Sequence, residues 1–264
     1  MKIALMDSGI GLLAAAAAMR RLRPDADLVI SSDPDGMPWG PRTPADLTER
    51  ALAVARAAAA HRPEALIVAC NTASVHSLPA LRAELEPAIP VIGTVPAIKP
   101  AAAAGGRVAI WATPATTGSP YQRGLIGEFA AGVPVTEVPC PGLADAVEAV
   151  DDAAVKATVA AAAALTPADV TDVVLGCTHY ELVETAIRAA LAARTGGADL
   201  VFHGSAEPVA VQALRRIGAL PEPGLPPTGG LTVLRSGRPG TLPAAALEYA
   251  EGRLLAGQGA AAVG

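Results

Sequence analysis

Short apolar runs recur along the chain, each cut off by a small or polar residue and followed by a longer stretch with alanine and leucine at helical spacing. The first run covers residues 2–6 and stops at Asp7-Ser8-Gly9-Ile10-Gly11, after which an alanine-rich helix is predicted to about Arg23. A second strand is predicted at 28–32, leading into a loop at 31–44 dense in Pro, Gly and Asp. Loops of that length in a compact domain are often functional. Thr43-Pro44 reads as the cap and first-turn proline of a helix over 46–60. Strands follow at 65–69 and 90–93, with a helix predicted from 74 to 85 between them.

The second half repeats the rhythm. Strands are predicted at 107–111, 135–138, 173–175 and 200–202. Helices are predicted at 122–130, after Cys140 through Glu148, at 152–165 and at 207–217. A Pro- and Gly-rich linker at 221–230 leads to a last strand at 231–234 and an alanine-rich helix whose end, 257–264, is expected to fray. Strands alternating with helices predict an α/β fold with parallel sheets.

Two of the runs are alike. LIVACNTAS, residues 66–74, delivers Cys70 into Asn-Thr, and VVLGCTHY, residues 173–180, delivers Cys177 into Thr-His. Each has the layout of a parallel strand entering a helix N-terminus, the edge at which open α/β sheets hold ligands. One such turn per half suggests two similar halves facing each other across a cleft.

Composition narrows the choice. At 264 residues the chain can bury a sizeable core in one large or two modest domains. Hydrophobic residues reach 52%, yet much of this is alanine, and no apolar run attains the roughly 18 residues of a membrane helix. Asp7 interrupts the N-terminal run too early for a signal peptide, so a soluble cytoplasmic protein is expected. A net charge of −5 with 3% aromatics leaves no basic footprint for nucleic acid. Three cysteines are too few, and odd in number, for a disulfide framework, which fits a reducing compartment.

The chemistry follows from the paired turns. A cysteine at a helix N-terminus meets backbone N–H groups that favour thiolate and also bind carboxylates. With Ser8, Asn71, Thr72, Thr116 and Thr178, two such turns would hold a small anion between two thiols. Thiols on opposite faces of one carbon permit stereoinversion, one removing a proton and the other returning it. An amino-acid α-proton is far less acidic than a thiol of pKa about 8.5, so neighbouring groups must assist; Asp7 and His179 are the candidates. Blander alternatives stand beside this. A buried cysteine is commonly a small hydrophobe, and Cys140, followed by proline, reads as structural. A zinc site from Cys70, His76, Cys177 and His179 lacks familiar ligand spacing. A Cys70–His179 nucleophile leaves the second thiol idle. Glu148 can equally be a helix-surface acid, Trp39 a core cap, and Asp7 or Ser8 a helix cap. Ala14 stands where a dinucleotide fingerprint has its third glycine.

ACNTAS at 69–74 and LGCTHY at 175–180 resemble the two signatures of the cofactor-independent glutamate racemases, within the aspartate/glutamate racemase superfamily. DSG at 7–9, PWG at 38–40 in place of PYG, VIGTVPA at 91–97, the AT..T..S pattern at 112–119 and CPGLADAVE at 140–148 extend the resemblance over about residues 1–217. It implies two pseudo-symmetric flavodoxin-like domains, 1–95 plus 207–264 and 96–206. It further implies Cys70 acting on the D-enantiomer and Cys177 on the L-enantiomer, with Glu148 near the second base. Asp7, Ser8, Trp39, Gly40, Asn71, Thr72, Thr178 and His179 fall on substrate-contacting positions. No pyridoxal phosphate, other cofactor or metal is implied, and a homodimer is compatible with it. The product, D-glutamate, would feed bacterial peptidoglycan synthesis. The chain departs from the pattern at Leu12 for glycine, Trp39 for tyrosine, Glu181 for proline, and Phe202-His203-Gly204-Ser205 where an aspartate is common. Trp39 would enlarge one pocket wall and remove a hydroxyl. Alternatives are another dicarboxylate substrate, such as aspartate or maleate, or a non-catalytic relative binding a metabolite or a protein.

Overall fold

The computed structural model describes residues 1–197 and 199–259. Ten strands form among these residues. The first five are β1 (Lys2–Asp7), β2 (Asp27–Ser32), β3 (Ala65–Val68), β4 (Val91–Gly93) and β5 (Val108–Ala112). They are followed by β6 (Val135–Pro139), β7 (Asp172–Leu175), β8 (Val201–His203), β9 (Leu231–Arg235) and β10 (Arg238–Gly240). The chain divides into two compact units, one of residues 1–94 with those from 206 onward, the other of residues 95–205.

In the first unit the sheet order is β10-β9-β2-β1-β3-β4. All its pairings are parallel except β9–β10. In the second unit the order is β6-β5-β7-β8, parallel throughout. Both sheets therefore contain the same winding: the unit's first strand lies between its second and third, with the fourth beyond the third. Connections leave the first and third strands toward opposite sides, so a gap opens between the loops at their carboxyl ends. β1 and β3 are the central pair in one unit, β5 and β7 in the other. Continuous apolar runs form these strands because helices cover both faces; Ile3, Ala4, Leu5 and Met6 of β1 are wholly buried, as are Val173, Val174 and Leu175 of β7.

The alanine-rich segment forms the helix Leu12–Leu22, buried at every residue from Leu12 to Arg20. It packs against the helices Ala206–Arg216 and Ala250–Gly259, and its small side chains allow that crowding. The last of these helices runs to Gly259; the remainder of the end expected to fray, 260–264, lies outside the described residues. The helix predicted over 74–85 is in fact two, Asn71–His76 and Leu78–Leu85. Pro79, in the first turn of the second, has no N–H to continue the first, and the break falls at Ser77. The start moves forward to the residue after Cys70. Elements that escaped the sequence pattern include the helices Ile98–Ala103 and Glu184–Arg194 and the β9–β10 hairpin. The hairpin turn places Ser236 at φ 46° and Gly237 at φ 77°, the paired left-handed conformation that suits strand twist. Among the described residues no helix is long and apolar enough to cross a membrane.

Arg20 ties the linker to this core. Its buried guanidinium donates to the carbonyls of Pro24 (3.2 Å), Ala26 (2.6 Å) and Gly230 (2.8 Å), and burial lowers its pKa. Gly229 is bare for the same reason, since a Cβ there would collide with the Ala26 carbonyl and the Arg20 guanidinium. Arg20→Met is expected to leave the Ala26 carbonyl without a partner, the Pro24 and Gly230 carbonyls keeping the Gly229 and Leu28 N–H groups, and to lower unfolding free energy by about 2 kcal/mol, measured by urea denaturation.

Candidate active site

In the first unit, β1 and β3 end side by side, Met6 paired with Val68, and the Ala69 N–H donates to the Met6 carbonyl at 2.8 Å. Asp7 and Cys70 thus emerge from neighbouring strands. Asp7 is 1% exposed, and its Oδ1 accepts from the Ser8 N–H at 2.7 Å and from the Ser8 hydroxyl at 3.4 Å. Cys70 is 7% exposed and takes extended backbone angles, φ −147° and ψ 118°, as the residue capping Asn71–His76. Its carbonyl accepts from the Ser74 N–H at 2.9 Å, while the first-turn N–H groups lie beyond intrahelical partners. Asn71 is buried with neither its amide oxygen nor its nitrogen hydrogen-bonded within the protein, which suits a residue reserved for a ligand. Thr72 is half-buried and His76 exposed.

Trp39 and Gly40 lie in the long loop after β2. Trp39 is 1% exposed and packs in the same core cluster as Met6, Cys70 and Ala73, while Gly40 is half-buried. The indole N–H donates to Asp33 Oδ2 at 3.0 Å. Asp33 also accepts from the Gly36 N–H at 3.1 Å and the Ser236 hydroxyl at 3.2 Å, and so shapes the loop.

In the second unit the equivalent edge is that of β5 and β7, Trp111 paired with Leu175. The Gly176 N–H donates to the Trp111 carbonyl at 2.8 Å, and a Cβ on Gly176 would stand 2.8 Å from that oxygen. Only glycine lets β7 lie so close just before the thiol. Cys177, 9% exposed, repeats the geometry of Cys70, φ −139° and ψ 135°, and caps the helical turn Thr178–Glu181. His179 Nδ1 lies 3.9 Å from its sulfur, and His179 Nε2 lies 3.0 Å from Glu148 Oε2. Glu148 closes the helix Leu143–Glu148, which follows β6. Glu148, far along the chain, is thus a partner of the buried imidazole. With the Glu148 carboxylate accepting from Nε2–H, Nδ1 faces the thiol, an acceptor in the neutral imidazole and a donor to the thiolate once the ring is charged.

Thr116 sits buried in the turn after β5, its hydroxyl 3.2 Å from that of Thr113. Thr178 is buried at the start of the Cys177 turn. Sequence reasoning missed two supports, Asp33 and Glu137. Glu137 Oε2 accepts from the Gly118 N–H at 2.7 Å and pins the hydroxyl-rich turn to β6. A carboxylate inside a short strand between valines was the available signal. Cys140 is 1% exposed, and its thiol is pushed from an ordinary 9.0 up to about 12, first by burial and then by the nearby Cys177. Among the described residues no group of three or more His, Cys, Asp or Glu side chains is placed to hold a metal ion.

With two cysteine turns of one geometry, each at the switch point of its sheet, the comparisons with known proteins define the class. The chain belongs to the Asp/Glu/hydantoin racemase family, whose model matches residues 11–204, and is an isomerase. It is 40% identical over 192 residues to a glutamate racemase of Roseiflexus sp. (strain RS-1), spanning 71% of this chain and 70% of that one. Its fold is similar to the crystal structure of Escherichia coli glutamate racemase in complex with L-glutamate and the activator UDP-MurNAc-Ala, at TM-score 0.74 and 26% identity over 96% of this chain and 92% of that one. The RacE1 isoform of Bacillus anthracis glutamate racemase gives TM-score 0.68 and 30% identity over 88% and 87% of the two chains.

Cys140 is expected to resist iodoacetamide at pH 8 in the folded protein and to label on unfolding, read by mass spectrometry. Its raised pKa stabilises the folded state below pH 9.0, and that contribution is lost as pH rises toward about 12. Cys140→Ala is therefore expected to flatten the alkaline fall in stability over that range.

Proposed function

We propose that the chain interconverts L- and D-glutamate without a cofactor, by proton transfer between two thiols. The observation that carries this is the repeated cysteine turn: Cys70 and Cys177 cap helical turns with nearly equal backbone angles, each after the third strand of an identically wound sheet. The glutamate racemase relatives supply the substrate.

In the L-to-D direction the Cys177 thiolate takes the α-proton. The Cα–H bond breaks and its electron pair stays on the α-carbon, delocalised into the carboxyl group. The Cys70 thiol then delivers its own proton to the opposite face, forming the new Cα–H bond and becoming thiolate. The D-to-L direction runs the same steps backwards, beginning with Cys70. His179, oriented by Glu148, holds the Cys177 proton balance, and Asp7 serves the Cys70 side. Ser8, Gly40, Asn71, Thr72, Thr116 and Thr178 bind the substrate's charged groups, and Trp39 sets the wall beside Cys70. D-Glutamate made in this way would serve peptidoglycan synthesis in the cytoplasm.

In D₂O, the wild type is expected to exchange and invert the α-position of both enantiomers, read by NMR and circular dichroism. Cys177→Ser should lose exchange from L-glutamate first and Cys70→Ser from D-glutamate first. Exchange from neither enantiomer by the wild type would sink the assignment. His179→Asn is expected to lower kcat about 100-fold with a smaller change in KM, measured by coupled assay in each direction.

A further inference from the structure

The turn that carries Cys177 and His179 ends on Glu181, and the carboxylate of Glu181 reaches across the sheet edge to the loop after β8. Its Oε1 accepts from the Ser205 N–H at 2.8 Å and from the Ser205 hydroxyl at 2.9 Å. Its other oxygen lies over Gly204, where a Cβ would stand 2.5 Å from Oε2 and 2.8 Å from Cδ. Residues 204–205 thus offer a bare Cα, an N–H and a hydroxyl to one carboxylate, and Ser205 is 3% exposed. The setting is specific. β7 and β8 are paired, Val174 beside His203, so the loop from one carries Cys177 and the loop from the other carries the receptor for Glu181. Ser205 is also the last residue of the second unit before the chain enters the helix Ala206–Arg216.

Glu181, and the stretch Phe202-His203-Gly204-Ser205 to which it reaches, are both places where the sequence departs from the racemase pattern it resembles. The departures touch each other. Gly204 carries no side chain to obstruct the Glu181 carboxylate.

We infer that Glu181 is a positioning residue for the Cys177 thiol. By clasping Gly204-Ser205 it fixes the Thr178–Glu181 turn against the end of β8, and through that turn it sets the line along which Cys177 meets the α-carbon. A charge-assisted pair of hydrogen bonds is short and directional enough to hold such a turn, and a misplacement of about 1 Å at a reacting atom costs on the order of 100-fold. The inference rests on the proposed racemase activity.

The test compares Glu181→Ala, Glu181→Gln and Ser205→Ala with the wild type, using L- and D-glutamate deuterated at the α-carbon. Glu181→Ala should lower kcat/KM by about tenfold and raise the primary isotope effect for the enantiomer deprotonated by Cys177, while lowering it for the other. Glu181→Gln, which keeps an accepting oxygen, should recover most of the lost rate. Ser205→Ala should shift the isotope effects in the same sense but less, and it decides the matter should Glu181→Ala fail to fold. Wild-type kcat/KM in Glu181→Ala, or isotope effects that stay unchanged or move together, would overturn the inference. A second measurement needs no turnover: iodoacetamide labelling should accelerate at Cys177 in Glu181→Ala and stay constant at Cys70. A wild type inert toward glutamate defeats the functional proposal alone, whereas labelling of Cys177 unchanged in Glu181→Ala defeats the positioning role.

Discussion

A parallel strand buried on both faces has no side chain to spare for chemistry until it leaves the sheet, and the first residue to leave is the one that matters. Cys70 and Cys177 each occupy that position. Their extended backbone angles belong to the strand just ended, while their carbonyls already accept the first bonds of the helical turn that follows. Each thiol is thereby held between two rigid elements and remains almost entirely buried. The rest of each unit's sheet edge depends on this constraint. β1 and β5 supply the neighbouring edges that carry Asp7-Ser8 and the threonine-rich turn, because winding toward opposite sides leaves those ends uncovered.

The two thiols have unlike surroundings. Around Cys177 the support is polar and comes from several elements: His179 from its own turn, Glu148 from the helix after β6, and Gly176 pressed against β5. Around Cys70, Asp7 leaves the neighbouring strand end, Trp39, Met6 and Ala73 pack in one cluster with the cysteine, and Asp33 anchors the indole from behind. Trp39 therefore acts here as packing with one directed hydrogen bond, from its indole N–H to Asp33.

The strands and the cysteine turns were legible in the sequence because local signals produce them: apolar runs of strand length, each stopped by small polar residues. Thr43-Pro44 likewise declared its helix, and Thr43 does accept from the Asp46 N–H. What stayed hidden is what sequence distance conceals. The partner of His179 is 31 residues away, and Glu148 entered only through the family resemblance as lying near the second base; that of Trp111 is Thr166, 55 residues away. Neither pairing has a local pattern. The β9–β10 hairpin was missed because its Ser-Gly turn follows a proline-rich linker and its second strand contains a proline at the sheet edge. The helix predicted over 74–85 failed on one residue, Pro79, whose effect on the preceding turn outweighed the apolar spacing around it.

The first unit is discontinuous. β2 lies between β1 and β9, and β9 is separated from it by the whole of the second unit. During synthesis the ribosome therefore releases β1 to β4 long before the strand that covers the outer edge of β2, while residues 95–205 emerge as an uninterrupted sheet. The nascent chain must carry an open, apolar strand edge for the time needed to make more than half of its length, and the unit made second has all its strands first. The cysteine that appears earlier in the sequence is thus the later of the two to be set in a finished sheet.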